Sequence, residues 1–213
     1  RASVLPYARV RVDTGVFHLD QLYDYQIPEK FTGLVQVGVR VQVPFGNRET
    51  EGIVVDRVSA PERAGDLKSI TKVLSVVPIA TIQSLQFIDL VAQHFACNPW
   101  DLIRSAIPPR VAAVDKVFLS GEPDPQKGSK GAIEFQVLAP FTQAHEQLVP
   151  LVTVHQKAGS ILIVAPDEKD VDLVIASLRN ANLSPLKLTA ALTREERYRN
   201  YLLAMHGANS IVV

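Results

Sequence analysis

The sequence predicts an α+β protein: a small N-terminal β-barrel with helices, followed by a partial α/β unit. Three observations predict it. Short stretches of period-2 alternation, separated by turn residues, fill Val4–Val77. Two helical patterns with start signals follow in Thr81–Ala106. After a Gly-, Pro- and charge-rich stretch, apolar runs alternate with helices to the end of the chain. The domains are read as 1–109, a linker at 110–131, and 132–213.

Val4–Val12 alternates and reads as a first strand, and Asp13–Asp20 as a turn-rich loop. Leu22–Ile27 is a second strand, stopped by Pro28. Val35–Val43 is a third: Val37, Val39, Val41 and Val43 alternate with Gly38, Arg40 and Gln42, so it reads as half-buried, closing on a turn at Pro44-Phe45-Gly46. Asn47–Thr50 is a hairpin tip, Gly52–Val58 a fourth strand and Lys68–Val77 a fifth. Short strands at this spacing, uninterrupted by helices, predict a mainly antiparallel, closed or nearly closed barrel. Thr81 caps a helix whose apolar residues Ile82, Leu85, Phe87, Ile88, Val91, Ala92 and Phe95 share helical spacing. Asn98-Pro99 ends it, and Trp100–Ala106 forms a second helix with Trp100 as packing anchor.

GEPDPQKGSKG within 110–131 has linker composition. Beyond it, Gln143–Lys157 predicts a helix kinked at Pro150 and ended by Gly159. Ser160–Pro166 (SILIVAP) reads as a buried parallel strand. Asp167 N-caps a helix to Asn180, Pro185–Leu188 is a short strand, and Thr193–Glu196 is a capping box for a helix to His206. Ser210–Val213 starts another strand. This is βαβ texture, with right-handed parallel crossovers.

Composition narrows the function. The chain has 213 residues, 47% of them hydrophobic, with 22 basic and 22 acidic side chains. A neutral protein is not built to grip long DNA tracts by counterion release, so any nucleic-acid contact should be local. The one cysteine, Cys97, excludes a disulfide framework and a cysteine-based zinc site within this chain, and suits the cytoplasm. There is no signal peptide and no run long enough to span a bilayer, so no membrane role is expected. The start without Met and the apolar end at Val213 read as a fragment of a longer protein. His18, His94, His145, His155 and His206 are scattered without metal spacing; His155 reads as a helix C-terminal histidine. Arg194, Glu195, Glu196, Arg197 and Arg199 read first as a solvated helix face. There is no G-x-S-x-G and no G-x-G-x-x-G.

The stretch Leu22–Gly46 (LYDYQIPEKFTGLVQVGVRVQVPFG), continued by NRETEGIVV, resembles the start of the primosomal protein N′ (PriA) family of replication-restart proteins. GSILIVAPDEKDVDLVIASL and LTREERYRNYLLAMHGANSIVV resemble the first motor lobe of the same family. The resemblance implies a 3′ DNA-binding domain at 1–109 and a partial, degenerate RecA-like helicase lobe 1 at 132–213. It also implies a 3′-end pocket at four matching positions: Tyr23 and Asp24 in LYDY, Gly46 in PFG and Lys68 in DLKSI. The family usually has Phe at the place of Tyr23, and a tyrosine keeps the ring face. Taken alone, Tyr23 is as readily a barrel core residue, Asp24 a turn cap, Gly46 a turn glycine and Lys68 a surface lysine. Taken together they suit a strand end: an aromatic face stacks on any base, a carboxylate accepts base N–H groups, a glycine opens the backbone and a lysine meets the last phosphate.

The chain departs from the family where the motor lobe opens. In place of G-x-x-x-x-G-K-[ST] it reads Val137–His145, with Pro140 and no lysine. This matches actinobacterial-type members that lack the Walker A loop, and predicts a pseudo-helicase without ATPase activity. The family's winged-helix domain has no room in 110–131. ATP with Mg and zinc come from the family only; the zinc site and the Walker B motif would lie beyond Val213. The expected role is recognition of the 3′ end of the nascent leading strand at stalled or branched forks. The expected partners are forked DNA, replication-restart and helicase-loading proteins, and single-stranded DNA-binding protein. Two other readings stand beside it: an ATP-dependent 3′→5′ helicase with a cryptic nucleotide site, and a small-barrel interaction module without a DNA role.

Overall fold

The computed structural model describes residues 4–63, 65–75, 77–118, 133, 135–207 and 210–213. The chain divides into two compact units, Arg1–Glu122 and Pro123–Val213. Most of the linker stretch, including GEPDPQKGSKG, lies outside the described residues.

Alternation governs the first unit. The strands β1 (Tyr7–Val12), β2 (Leu22–Gln26), β3 (Arg40–Phe45), β4 (Arg48–Val58) and β5 (Lys72–Val73) form one sheet in the order β2-β1-β4-β3-β5. Every pair in this ladder is antiparallel, as the absence of intervening helices predicted. A single parallel bridge, Gln26 to Ser69, joins the segment before β5 to the far edge strand β2. The core is Ala8, Val10 and Val12 of β1, Tyr25 of β2, Val41 and Val43 of β3 and Val54 of β4, with Ile27, Val35, Val39 and Ile70 from adjoining loops. Each fully buried valine or isoleucine contributes about 1.5–3 kcal/mol.

The third strand starts later than its alternation suggests. Val35–Val39 is turn and loop, with Val35 and Val39 buried, because Gly38 takes a left-handed φ of 85°. A Cβ at Gly38 would lie 1.9 Å from the Ala80 carbonyl oxygen. Only glycine allows that approach, and the approach interrupts the strand. The polar face of β3 is only partly solvated: Gln42 is half-buried, and Arg40 is 7% exposed and pairs with Glu51 of β4. Pro44 and Phe45 belong to the strand, and the hairpin turn is Gly46-Asn47. Pro44 is tolerated because β5 pairs only with Val41 and Gln42, so its missing N–H breaks no ladder bond.

Helix α1 (Ile82–Phe95) begins at Thr81, whose hydroxyl accepts from the Ser84 N–H in a capping box. It is tied to β1 by Arg11, which donates to Asp89 at 2.7 Å and to Asp20 at 2.9 Å. Burial raises the Asp89 carboxyl above its ordinary pKa despite Arg11. Helix α2 (Pro99–Ala106) is capped by Asn98, with Trp100 buried. The stretch read as linker opens with a helix, α3 (Ala112–Val117), in which Asp115 pairs with Arg110.

The second unit holds α4 (Ala144–His155), β6 (Ile161–Leu162), α5 (Glu168–Asn180), α6 (Arg194–His206) and β7 (Ile211–Val212). Pro150 lies inside α4. Asp167 caps α5 through the Asp170 N–H, and the Thr193/Glu196 box caps α6. β6 and β7 pair in parallel, and Leu186 and Leu188 donate to Ile211 and Val213 on the other side of β7. The SILIVAP run is not uniformly buried: Leu162 is 72% and Val164 84% exposed, while Ile161, Ile163 and Ala165 face the core. Among the described residues no helix is long and apolar enough to cross a membrane.

Candidate nucleic-acid interface

Tyr23 and Asp24 lie on the edge strand β2, where successive side chains point to opposite faces. The Tyr23 ring packs on the core face, at 5.0 Å and 75° from Phe45, an edge-to-face geometry. Its hydroxyl donates to the Leu19 carbonyl at 2.9 Å and accepts from Gln21 Nε2 at 3.1 Å. The ring is therefore half-buried and held. Two residues on, Tyr25 faces the same way and its hydroxyl donates to the Pro44 carbonyl at 3.3 Å. Burial, and then Tyr23 and Glu49, push its pKa up to about 12.

Asp24 turns to the other face, opposite Arg9 in the β1–β2 register. Its side chain is 8% exposed. Oδ1 accepts from Arg9 Nε at 3.3 Å, and Oδ2 accepts from the Glu62 backbone N–H at 2.7 Å. Together with Tyr23, Glu62, Arg63 and Leu67 it lines an open cleft of about 590 Å³, a volume suited to a ligand. Arg63 stands at this cleft, donating to Gln21 Oε1 at 3.3 Å. A carboxylate offers about four lone-pair directions, so Asp24 retains capacity for incoming N–H donors.

Gly46 is the first of two loop residues between Phe45 and Arg48, with φ 59°. A Cβ there meets nothing within 4 Å, so the turn conformation, not packing, demands glycine. Lys68 is exposed, and its ammonium donates to the Gly46 carbonyl at 3.1 Å. It is pinned beside the end of β2, because the Gln26 N–H donates to the Lys68 carbonyl at 2.9 Å.

The fold thus joins Lys68 directly to Gly46 and brings Tyr23 onto Phe45, the neighbour of Gly46. It places Asp24 on the opposite face of its strand, already engaged by Arg9. Phe45, Arg9 and Arg63 were not singled out in the sequence. Phe45 stood inside the Pro-Phe-Gly motif; the roles of Arg9 and Arg63 depend on register and loop path, which leave no local signal.

In the second unit the place of a nucleotide loop is a turn: Thr142 N–H donates to the Ala139 carbonyl at 3.1 Å around Pro140 and Phe141. Phe141 has φ 66° and is fully exposed. Among the described residues no three His, Cys, Asp or Glu side chains gather as a metal site.

Residues 9–108 match the sequence profile of the PriA 3′ DNA-binding domain (3′BD). The chain is 28% identical over 224 residues to a probable replication restart protein PriA of Mycobacterium tuberculosis, covering 93% of this chain and 34% of that protein. The Mycobacterium leprae protein of that name is 26% identical over 227 residues, 93% of this chain and 35% of its own length. The replication restart protein PriA of Bacillus subtilis is 34% identical over 76 residues, 35% of this chain and 9% of that protein. The chain spans about a third of the length of the mycobacterial relatives it matches. Through the profile match at residues 9–108 and similarity over nearly its whole length, the chain is PriA-like.

Proposed function

We propose that this chain binds the 3′ end of a DNA strand at a branched fork and serves replication restart without hydrolysing ATP. The observation that carries the reading is the Lys68–Gly46 contact beside the Tyr23–Phe45 pair, in a unit that also presents Asp24 at a ligand-sized cleft. Lys68 keeps two further N–H donors for the last internucleotide phosphate of the strand. Asp24, preset by Arg9 and the Glu62 N–H, accepts from a base edge; every base carries at least one N–H there, so the site reads an end and not a sequence. The neutral overall charge fits a contact confined to that end. Replication-restart and helicase-loading proteins and single-stranded DNA-binding protein are the partners such a role implies. The Pro140 turn and the lack of a lysine in Val137–His145 support the absence of ATP hydrolysis. Fluorescence anisotropy with forks carrying a free or a phosphate-blocked 3′ end tests the reading: tighter binding to the free end is expected, and equal binding would refute end recognition.

A further inference from the structure

The Tyr23 hydroxyl has one proton, and it goes to the Leu19 carbonyl at 2.9 Å. Its contact with Gln21 at 3.1 Å therefore runs one way only, with the Gln21 Nε2–H donating to the phenol oxygen. That fixes which end of the Gln21 amide faces Tyr23. The other end, Oε1, is left as an acceptor, and Arg63 Nη2 donates to it at 3.3 Å. The bonds from Arg63 through Gln21 and Tyr23 to Leu19 thus share a single polarity, and the Tyr23 hydroxyl sets it. A phenylalanine at position 23 would give neither end of the Gln21 amide a preference.

Gln21, Tyr23, Asp24 and Arg63 line one cleft, of about 590 Å³. Its charges are not equally committed. Asp24 is paired with Arg9. Arg63 is exposed, and among the described residues Gln21 is its one side-chain partner and no carboxylate pairs with it. A guanidinium carries five N–H donors in a planar fork, and Gln21 takes one. The rest remain for an acceptor at the cleft, on a side chain already tethered. A planar fork matches two oxygens of one phosphate, and a phosphate also answers the unpaired charge. Glu62 lines the same cleft, but it is exposed, so solvent and salt screen its repulsion. Lys68 is held by the Gly46 carbonyl and shares no hydrogen-bond partner with Arg63, so the two cations are separately placed.

We infer that Arg63 is a second phosphate contact of the candidate DNA site, distinct from Lys68, and that the Tyr23 hydroxyl positions it through Gln21. The inference rests on the 3′-end reading and adds to it a residue and a positioning device.

The test is fluorescence anisotropy of the full chain with free-3′-end forks at several salt concentrations. Arg63→Gln should weaken binding roughly three- to tenfold and lower the slope of log affinity against log salt by about one. Arg63→Lys should restore the slope but not the full affinity, since an ammonium lacks the fork. Tyr23→Phe keeps the ring and should weaken binding roughly two- to tenfold, with no further loss in the Arg63→Gln background. Arg63 is exposed, so thermal melts of its variants should match that of the unsubstituted chain. An unchanged slope in a folded Arg63→Gln variant that still prefers the free end would overturn the proposal and leave the end reading standing. Additive losses from Tyr23→Phe and Arg63→Gln would overturn it too, because the hydroxyl would then act apart from Arg63. Equal binding of free-end and blocked-end forks would instead refute the end reading, and the Arg63→Gln slope on both forks would still decide the phosphate contact.

Discussion

Arg9 Nε donates to Asp24 Oδ1 at 3.3 Å across the β1–β2 register, while the Glu62 N–H holds Oδ2 at 2.7 Å. The carboxylate is oriented before any ligand arrives, and little ordering cost remains at binding. Removing it should therefore cost a full charge-assisted hydrogen bond, about 1.5–3 kcal/mol. Asp24→Ala should weaken binding to a free-3′-end fork roughly ten- to hundredfold and leave a blocked fork nearly unchanged. Anisotropy on both substrates checks this; equal losses would show that Asp24 acts through folding.

The Lys68 ammonium is set against the Gly46 carbonyl at 3.1 Å, so its share of binding should be electrostatic. Lys68→Ala should lower the slope of log affinity against log salt by about one, from a starting value of roughly one to three. Titrations at several salt concentrations measure it. A steep slope that ignores the substitution would locate the phosphate contacts elsewhere.

Gly46 is required by conformation alone, since its side-chain space is open. Gly46→Val should destabilise the unit by about 1–2 kcal/mol, whereas Gly46→Asn, which visits the left-handed region more readily, should cost less. Thermal melts of both variants decide the point, and an equal loss in the two would mean that bulk, not φ, is the constraint.

The Tyr25 phenol titrates near pH 12 in the folded protein, above its ordinary value of 10.0. The raised pKa means that the native state favours the neutral form. Its contribution to stability is complete below pH 10 and is lost as pH rises from there through 12. Tyr25→Phe should remove the late-titrating phenol from a spectrophotometric titration and flatten the alkaline fall in stability. A variant that keeps that late phase would assign it to another tyrosine.

What was legible in the sequence is what local chemistry dictates. The caps at Thr81, Asp167 and Thr193 start their helices where side-chain oxygens can reach free N–H groups. The alternation in β1, β2 and β4 marks real strands. Long-range contacts decided the rest. Gly38 breaks the Val35–Val43 pattern because the Ala80 carbonyl approaches it, and Arg40 is buried because Glu51 and the Pro108 carbonyl receive it. In the candidate site, the adjacency of Tyr23 and Asp24 suggested one cavity, and both line one cleft although the pleat turns the Tyr23 ring toward the core and Asp24 toward Arg9. Asp24 meets Arg9 only through a register set by turn length.

The turn at Ala139–Thr142 leads to the nucleotide prediction. A phosphate-binding loop works through successive backbone N–H groups and a lysine. Here Pro140 contributes no N–H, the Thr142 N–H is spent on the Ala139 carbonyl, and no lysine occurs between Val137 and His145. Phosphates would forgo several charge-assisted bonds of about 1.5–3 kcal/mol each, which removes at least three orders of magnitude in affinity. Calorimetric titration with Mg-ATP should therefore show no saturable heat up to millimolar nucleotide, with or without fork DNA. The parallel β6–β7 ladder and α5 keep their place regardless, since Val171, Val174, Ile175 and Leu178 pack with Ile211 in one core. A micromolar site that disappears when Ala144 and His145 are replaced would instead establish a nucleotide-binding motor in this unit.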